Sequence, residues 1–249
     1  TPYQHRLMMD DKGASITLNT GGNEVLNMVD GAKGYGNNIK LSTADAHSIR
    51  LAEGDNLQGI KMETKQGNIA ILNDKDKHIR ITTENNHTII MDDKEKKVEI
   101  VTTGNHIVLF DDAEKKVQIQ TANGHIALLD DKNKKIEIKS KDGHGLAIDD
   151  GGKSITAQDS SGQHFFKIDI AGKKLIISTS TGSIDIKAPT GLIALKGKEI
   201  SIDAITDVKI SGLNIASEAK VSHNIKGTLV QSSGAVVNVV KGGMVQLNP

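Results

Sequence analysis

A 19-residue repeat runs through the middle of the chain, and it limits the fold more than any other feature. Asp-Asp pairs begin at Asp92, Asp111, Asp130 and Asp149, and His87, His106, His125 and His144 keep the same step. Lys77, Lys96, Lys115, Lys134 and Lys153 do so too. A further unit with His164, Asp169 and Lys173 follows after a step of 20, and one precedes it with Asn68 in the His place. Looser units begin at His5 and His47, separated by the glycine-rich stretch Gly31-Ala32-Lys33-Gly34-Tyr35-Gly36.

Within a unit, apolar and polar residues alternate. Val98 and Ile100, Val117 and Ile119, and Ile136 and Ile138 point one way, while Glu99, Gln118 and Glu137 point the other. That period of two predicts a strand with one apolar face. The first half of a unit, such as Ile126-Ala127-Leu128-Leu129, is apolar throughout and is expected to be the more buried strand. Asp-Asp-x-x-Lys-Lys between the halves is turn chemistry, because Asp bonds its own backbone and tolerates unusual dihedrals. From Gly182 the rhythm shortens: Ile184, Leu192, Ile200 and Val208 lie eight apart. Three regions are expected: 1–67 with looser β repeats, 68–182 with regular repeats of about 19 residues, and 183–249 as a narrow β-helix ending in a blunt tip.

The chain is all-β by this reading, and composition agrees. Of 249 residues, 31 are Ile, 3 are Pro and only 2% are aromatic. β-Branched residues suit a pleated surface, and scarce Pro leaves strand ladders intact. Net charge is zero, which argues against a basic nucleic-acid-binding face. Cys is absent, so neither disulfides nor thiol chemistry is available. No apolar run reaches the length of a membrane-spanning helix, and no signal peptide is expected. The chain opens on Thr1-Pro2, as expected for a fragment or a processed chain.

One chain of this kind has a thin core. A fully buried Ile contributes about 1.5–3 kcal/mol, whereas ordering each residue costs roughly 1–2 kcal/mol of backbone entropy. Long strand edges also invite aggregation unless they are covered. Three copies about one axis answer both problems, with apolar rows meeting inside and each edge pairing with the next chain. The fold expected is therefore an intertwined trimeric β-prism or β-helix spike built from repeated short strands. A single-chain parallel β-helix is the competitor.

Candidate chemistry is sparse. The His series could bind metal or respond to pH, but Asn68 in its place favours a turn-flanking ring packed on the next layer. The Asp-Asp series could take calcium, yet solvated turns balanced by Lys-Lys explain it better. Every repeat carries the pair, so none stands out as a catalytic centre. Phe165-Phe166 is expected to be a packing plug where wide repeats give way to narrow ones. No nucleophile elbow or phosphate-binding glycine loop is present. The expectation is a protein that is not an enzyme and needs no cofactor or metal.

The chain resembles the C-terminal β-helical spike of VgrG proteins, the tip components of type VI secretion systems, and the tail spikes of contractile phages. Four stretches carry the resemblance: Thr1–Asp11 followed by Ile16–Thr20, the repeats from Asn68 to Thr181, the short rhythm of Gly182 to Ile210, and Val240–Pro249. The resemblance implies a homotrimer that contraction drives through a target envelope, touching the membrane transiently and carrying effector proteins. Upstream it would join tube or baseplate components. It would be assembled in the cytoplasm and leave by type VI secretion. A PAAR-repeat protein would cap the tip through Gly242, Gly243, Met244, Val245, Gln246, Leu247 and Asn248. The alternatives are a trimeric phage tail fibre or adhesin shaft that binds surface glycans, and a monomeric β-helix polysaccharide enzyme.

Overall fold

The computed structural model describes residues 4–31, 36–54, 57–235, 237, 239, 241, 242 and 244. It divides into two units, Thr1–Asp185 and Ile186–Pro249.

The described part of the first unit is all strand and turn. Eighteen strands run from β1 (Arg6–Asp10) to β18 (Lys174–Ser178), with no helix among them. Each pairs antiparallel with the next, so a single open sheet forms as one long meander. Most strands are five residues long; β5 (Ser48–Gly54) and β6 (Leu57–Glu63) reach seven. The glycine at 59 is required there. Its φ is +145°, and a Cβ at that position would overlap the carbonyl oxygen of Leu72.

The turns explain the repeat. At the Asp-Asp edge, the first Asp accepts a backbone N–H three residues on: Asp92 from Glu95 at 2.8 Å, Asp111 from Glu114 at 2.9 Å and Asp130 from Asn133 at 2.8 Å. The Lys that precedes the second strand of each unit closes the turn in the left-handed region, with φ of 49–54° at Lys77, Lys96, Lys115, Lys134, Lys153 and Lys173. That costly conformation aims its carbonyl at the next loop. Thus Lys77 O accepts the Asp93 N–H at 3.0 Å, and Lys96 O accepts the Asp112 N–H at 2.9 Å.

The register brings every apolar row together. One row contains Met9, Ile16, Met28, Ile39, Leu51 and Ile60, and continues through Met91, Val98, Phe110 and Val117 to Leu175. A second runs from Leu7 and Leu18 through Ile100, Val108 and Ile119 to Ile177. Each of the eighteen strands gives one apolar residue to each row, and both rows lie on one face. The opposite face mixes charge and apolar side chains, as in Glu99, Leu109, Gln118, Leu128 and Glu137 across neighbouring strands.

Among the described residues of the first unit, nothing covers the apolar face. Among the described residues only Ala52 and Leu57 are buried. Ile119 is 54% exposed, Leu129 50% and Ile138 55%. The chain exposes 20338 Å², against about 11,000 Å² for a compact chain of 26.6 kDa. Ile126–Leu129 is half-buried at three positions and exposed at Leu129, one exposed residue against two in the strand that follows, and the one-layer sheet gives neither a second layer to pack on.

The second unit differs. Its backbone runs in extended segments broken by bends at Gly191, Lys198, Ile205, Leu213, Lys220, Thr228 and Ala235, so it turns every seven or eight residues. Among the described residues it contains no strand pairing, and every side chain there is exposed except the half-buried Ala188. Exposure is graded nonetheless. Ile193, Ile200, Val208, Ile215 and Val230 expose 48–60%, whereas Ile205, Leu213 and Val221, at the bends, expose 97–105%. The first set falls two or three residues after a bend.

Candidate functional site

The His series resolves into a stacking device at the second turn edge. In the loops before His47, Asn68, His87, His106, His125 and His144 a Thr or Ser takes the N–H of that residue, as Thr102 does from His106 at 3.1 Å and Ser140 from His144 at 3.1 Å, and Asp159 does so for His164. The ring then reaches one layer forward. Nδ1 accepts a backbone N–H from the following turn: His5 from Gly21 at 3.2 Å, His47 from Lys65 at 3.4 Å, His87 from Thr103 at 3.4 Å, His106 from Ala122 at 3.4 Å and His125 from Lys141 at 3.2 Å. Asn68 does the same with Oδ1, taking the Glu84 N–H at 3.0 Å. An amide oxygen and an imidazole nitrogen are interchangeable here because the position needs only a short-reach acceptor.

His125→Ala should therefore cost about 0.5–1 kcal/mol of stability, the net worth of one hydrogen bond, while His125→Asn should keep it. Urea unfolding measures both; equal losses in the two variants would refute the acceptor role.

The Asp-Asp carboxylates spread along the opposite edge and serve their own turns. Among the described residues no three His, Cys, Asp or Glu side chains of one chain converge as a metal site. Charges pair locally: on the mixed face Lys135 and Lys139 reach Glu137 at 2.8 and 3.0 Å, and between neighbouring turns Lys132 reaches Glu114 at 2.6 Å. Burial would raise the Glu137 carboxyl, but the two Lys hydrogen bonds outweigh it and leave it low.

Asp159 is held lower still, at about 2 against an ordinary 3.8. The Ser161 hydroxyl, which donates to it at 2.6 Å, is the main cause, and the His164 N–H at 3.1 Å adds to it. A lowered carboxyl stabilises the fold above its ordinary value and loses that contribution as pH falls toward 2. An NMR titration of the Asp159 carboxyl should have its midpoint near 2, and Ser161→Ala should move it up toward 3.8. An unmoved midpoint would show that the hydroxyl does not hold it.

Phe165 and Phe166 do not form one plug. They are successive residues of β17 (Phe165–Asp169), so they face opposite ways. Phe166 continues the second apolar row beside Ile177, and Phe165 lies on the mixed face opposite Ser178.

Two hollows of about 920 and 780 Å³ lie on the first eight strands. The larger is lined by Met9, Ile16, Met28, Ile39 and Leu51 of the first row, and the other by Leu18, Leu26, Leu41, Ile49 and Met62 of the second. Both are part of the same uncovered apolar face, a feature that pairing alone could reveal. Of the tip residues, Gly242 is described and exposed, and Met244 is 86% exposed. Gly243, Val245, Gln246, Leu247 and Asn248 lie outside the described residues.

No family model and no curated protein matches the chain. Among solved structures, the G-box domain of the microcephaly protein CPAP is similar at TM-score 0.42 and 12% identity, over 60% of this chain and 90% of that one. The TCP10 domain of Danio rerio CPAP is similar at TM-score 0.34 and 13% identity, over 73% of this chain and 98% of that one. The same domain in complex with a peptide of Danio rerio STIL scores 0.37 at 12% identity, over 73% of this chain and 92% of that one.

Proposed function

We propose that this chain is the spike of a contractile injection machine of the VgrG type, acting as a homotrimer that pierces an envelope. The observation that carries the reading is the backbone of residues 186–235. It is extended and regularly bent, and among the described residues no strand pairs with it. Backbone N–H and C=O groups that adopt strand geometry are completed by another strand, and here two further copies would supply it. The uncovered apolar face of the first unit supports the same assembly, since three such faces turned inward bury both rows at once.

The role of such a trimer is mechanical. A ladder shared between chains bends only when many hydrogen bonds break together, so the shaft transmits thrust to its tip. Effector proteins ride with it, tube or baseplate components hold its upstream end, and a PAAR-repeat protein docks on Gly242 to Asn248. Contact with the target membrane is transient, and the spike leaves the cell by type VI secretion with no nucleic acid or catalysis involved.

Light scattering after size exclusion tests the assembly. Three times 26.6 kDa is expected, and a particle of one chain mass overturns the reading. A pull-down with PAAR-repeat proteins, controlled by a chain ending before Gly242, tests the tip. A trimer that ignores them and instead binds a surface glycan would be a tail fibre.

A further inference from the structure

We propose that the mixed face of the strands from β4 (Asn37–Ser42) to β8 (His78–Thr82) docks an extended acidic segment of another protein. This rests on the spike reading only in that the apolar rows turn inward and leave the mixed face outward. The register lines up cations there. Lys40 lies opposite Arg50, Arg50 opposite Lys61, Lys61 opposite Ile71, and Ile71 opposite Arg80. Four cations therefore stand in the central row of five neighbouring strands.

Like charges directly opposite one another destabilise a sheet. Further along the same face the charges alternate in sign and pair, as Lys116 does with Asp111 at 3.9 Å and Lys135 with Glu137 at 2.8 Å. On the mixed face of β4 to β8 the one acid is Glu63, and it takes Lys61 at 2.7 Å. Among the described residues Lys40, Arg50 and Arg80 have no hydrogen bond or ion pair, and all three are exposed. A local conflict of this kind marks a functional surface, where an anionic partner supplies the missing charge.

Spacing and composition select the partner. Neighbouring strands lie about 4.8 Å apart, so the row from Lys40 to Arg80 spans roughly 19 Å. Four carboxylates at alternate positions of an extended chain span roughly 20 Å, at about 3.3 Å per residue. Ile71 inside the row and Ile90 opposite Arg80 add aliphatic contact. Residues 37–82 contain no aromatic side chain, so nucleic-acid bases have no ring to stack on. An acidic protein segment therefore fits better than a nucleic acid.

The test uses the full chain and a fluorescein-labelled peptide of four Glu alternating with three Val, read by anisotropy. Saturable binding at one peptide per chain is expected, and the same peptide with Gln for Glu should not bind. Lys40→Gln, Arg50→Gln and Arg80→Gln should each weaken binding by up to about fivefold, and the triple variant by about 100-fold. Lys167→Gln, on the same face beyond the patch, should leave it unchanged. The urea midpoint of the triple variant should equal or exceed that of the wild type, since only repulsion is removed. A lower midpoint would mean that the cations serve the fold, and overturns the proposal. So does a wild type that ignores the peptide, a triple variant that binds it equally well, or a thymidine pentanucleotide, with four phosphates, that binds as tightly. A monomer that still binds the peptide through Arg50 overturns the spike reading and leaves the docking surface standing.

Discussion

Ile119→Lys should break the particle into single chains. In an isolated chain this residue is 54% exposed on an open sheet face, and the substitution would change stability by no more than about 0.5 kcal/mol. In a trimer whose apolar rows meet inside, three ammonium groups would be buried together without partners, at a cost of several kcal/mol each. Gln118→Lys is the control: the neighbouring residue lies on the opposite, mixed face and should leave the mass unchanged. Light scattering reads both. A trimeric Ile119→Lys protein would mean that this face does not form the interior.

Amide exchange should show residues 186–235 to be strongly protected in the native protein. A lone chain with this backbone has no ladder to shelter its N–H groups, and Ile200, Ile202, Val208 and Ile210 would exchange at the rate of an unfolded peptide. Pairing with two other copies should slow them by about a thousandfold or more, because exchange then requires local opening of the assembly. The protection should disappear in Ile119→Lys if assembly of the two units is coupled. Rapid exchange in the wild-type particle would remove the main support for an inter-chain spike.

The repeating unit itself was legible along the chain. Strand alternation at Val98 and Ile100, the Asp92 turn and the matching positions of His87 and His106 can all be read locally, since side-chain direction has a period of two and turn chemistry spans four residues. The role of the His series was only partly legible. Asn68 in a His place favours a packing role, but the acceptor function depends on Thr103, Ala122 and Lys141, each 16 residues downstream of its ring. The paired Phe165 and Phe166 misled because adjacency along a strand separates side chains across the sheet.

Sequence alone determined that this protein is built of short alternating strands, where its turns fall and which residues of a strand share a face. All three follow from interactions over a few residues. Tertiary structure decided that the strands up to Ser178 pair within their own chain as an antiparallel meander, against the expectation that each edge joins a neighbouring copy. It also aligned Leu7 to Ile177 and Met9 to Leu175 as two rows on one face, and among the described residues no strand pairs with 186–235. Pairing register is a non-local choice: the same alternating strand can bond its neighbour in sequence or another chain, and only the geometry of the intervening turns selects between them.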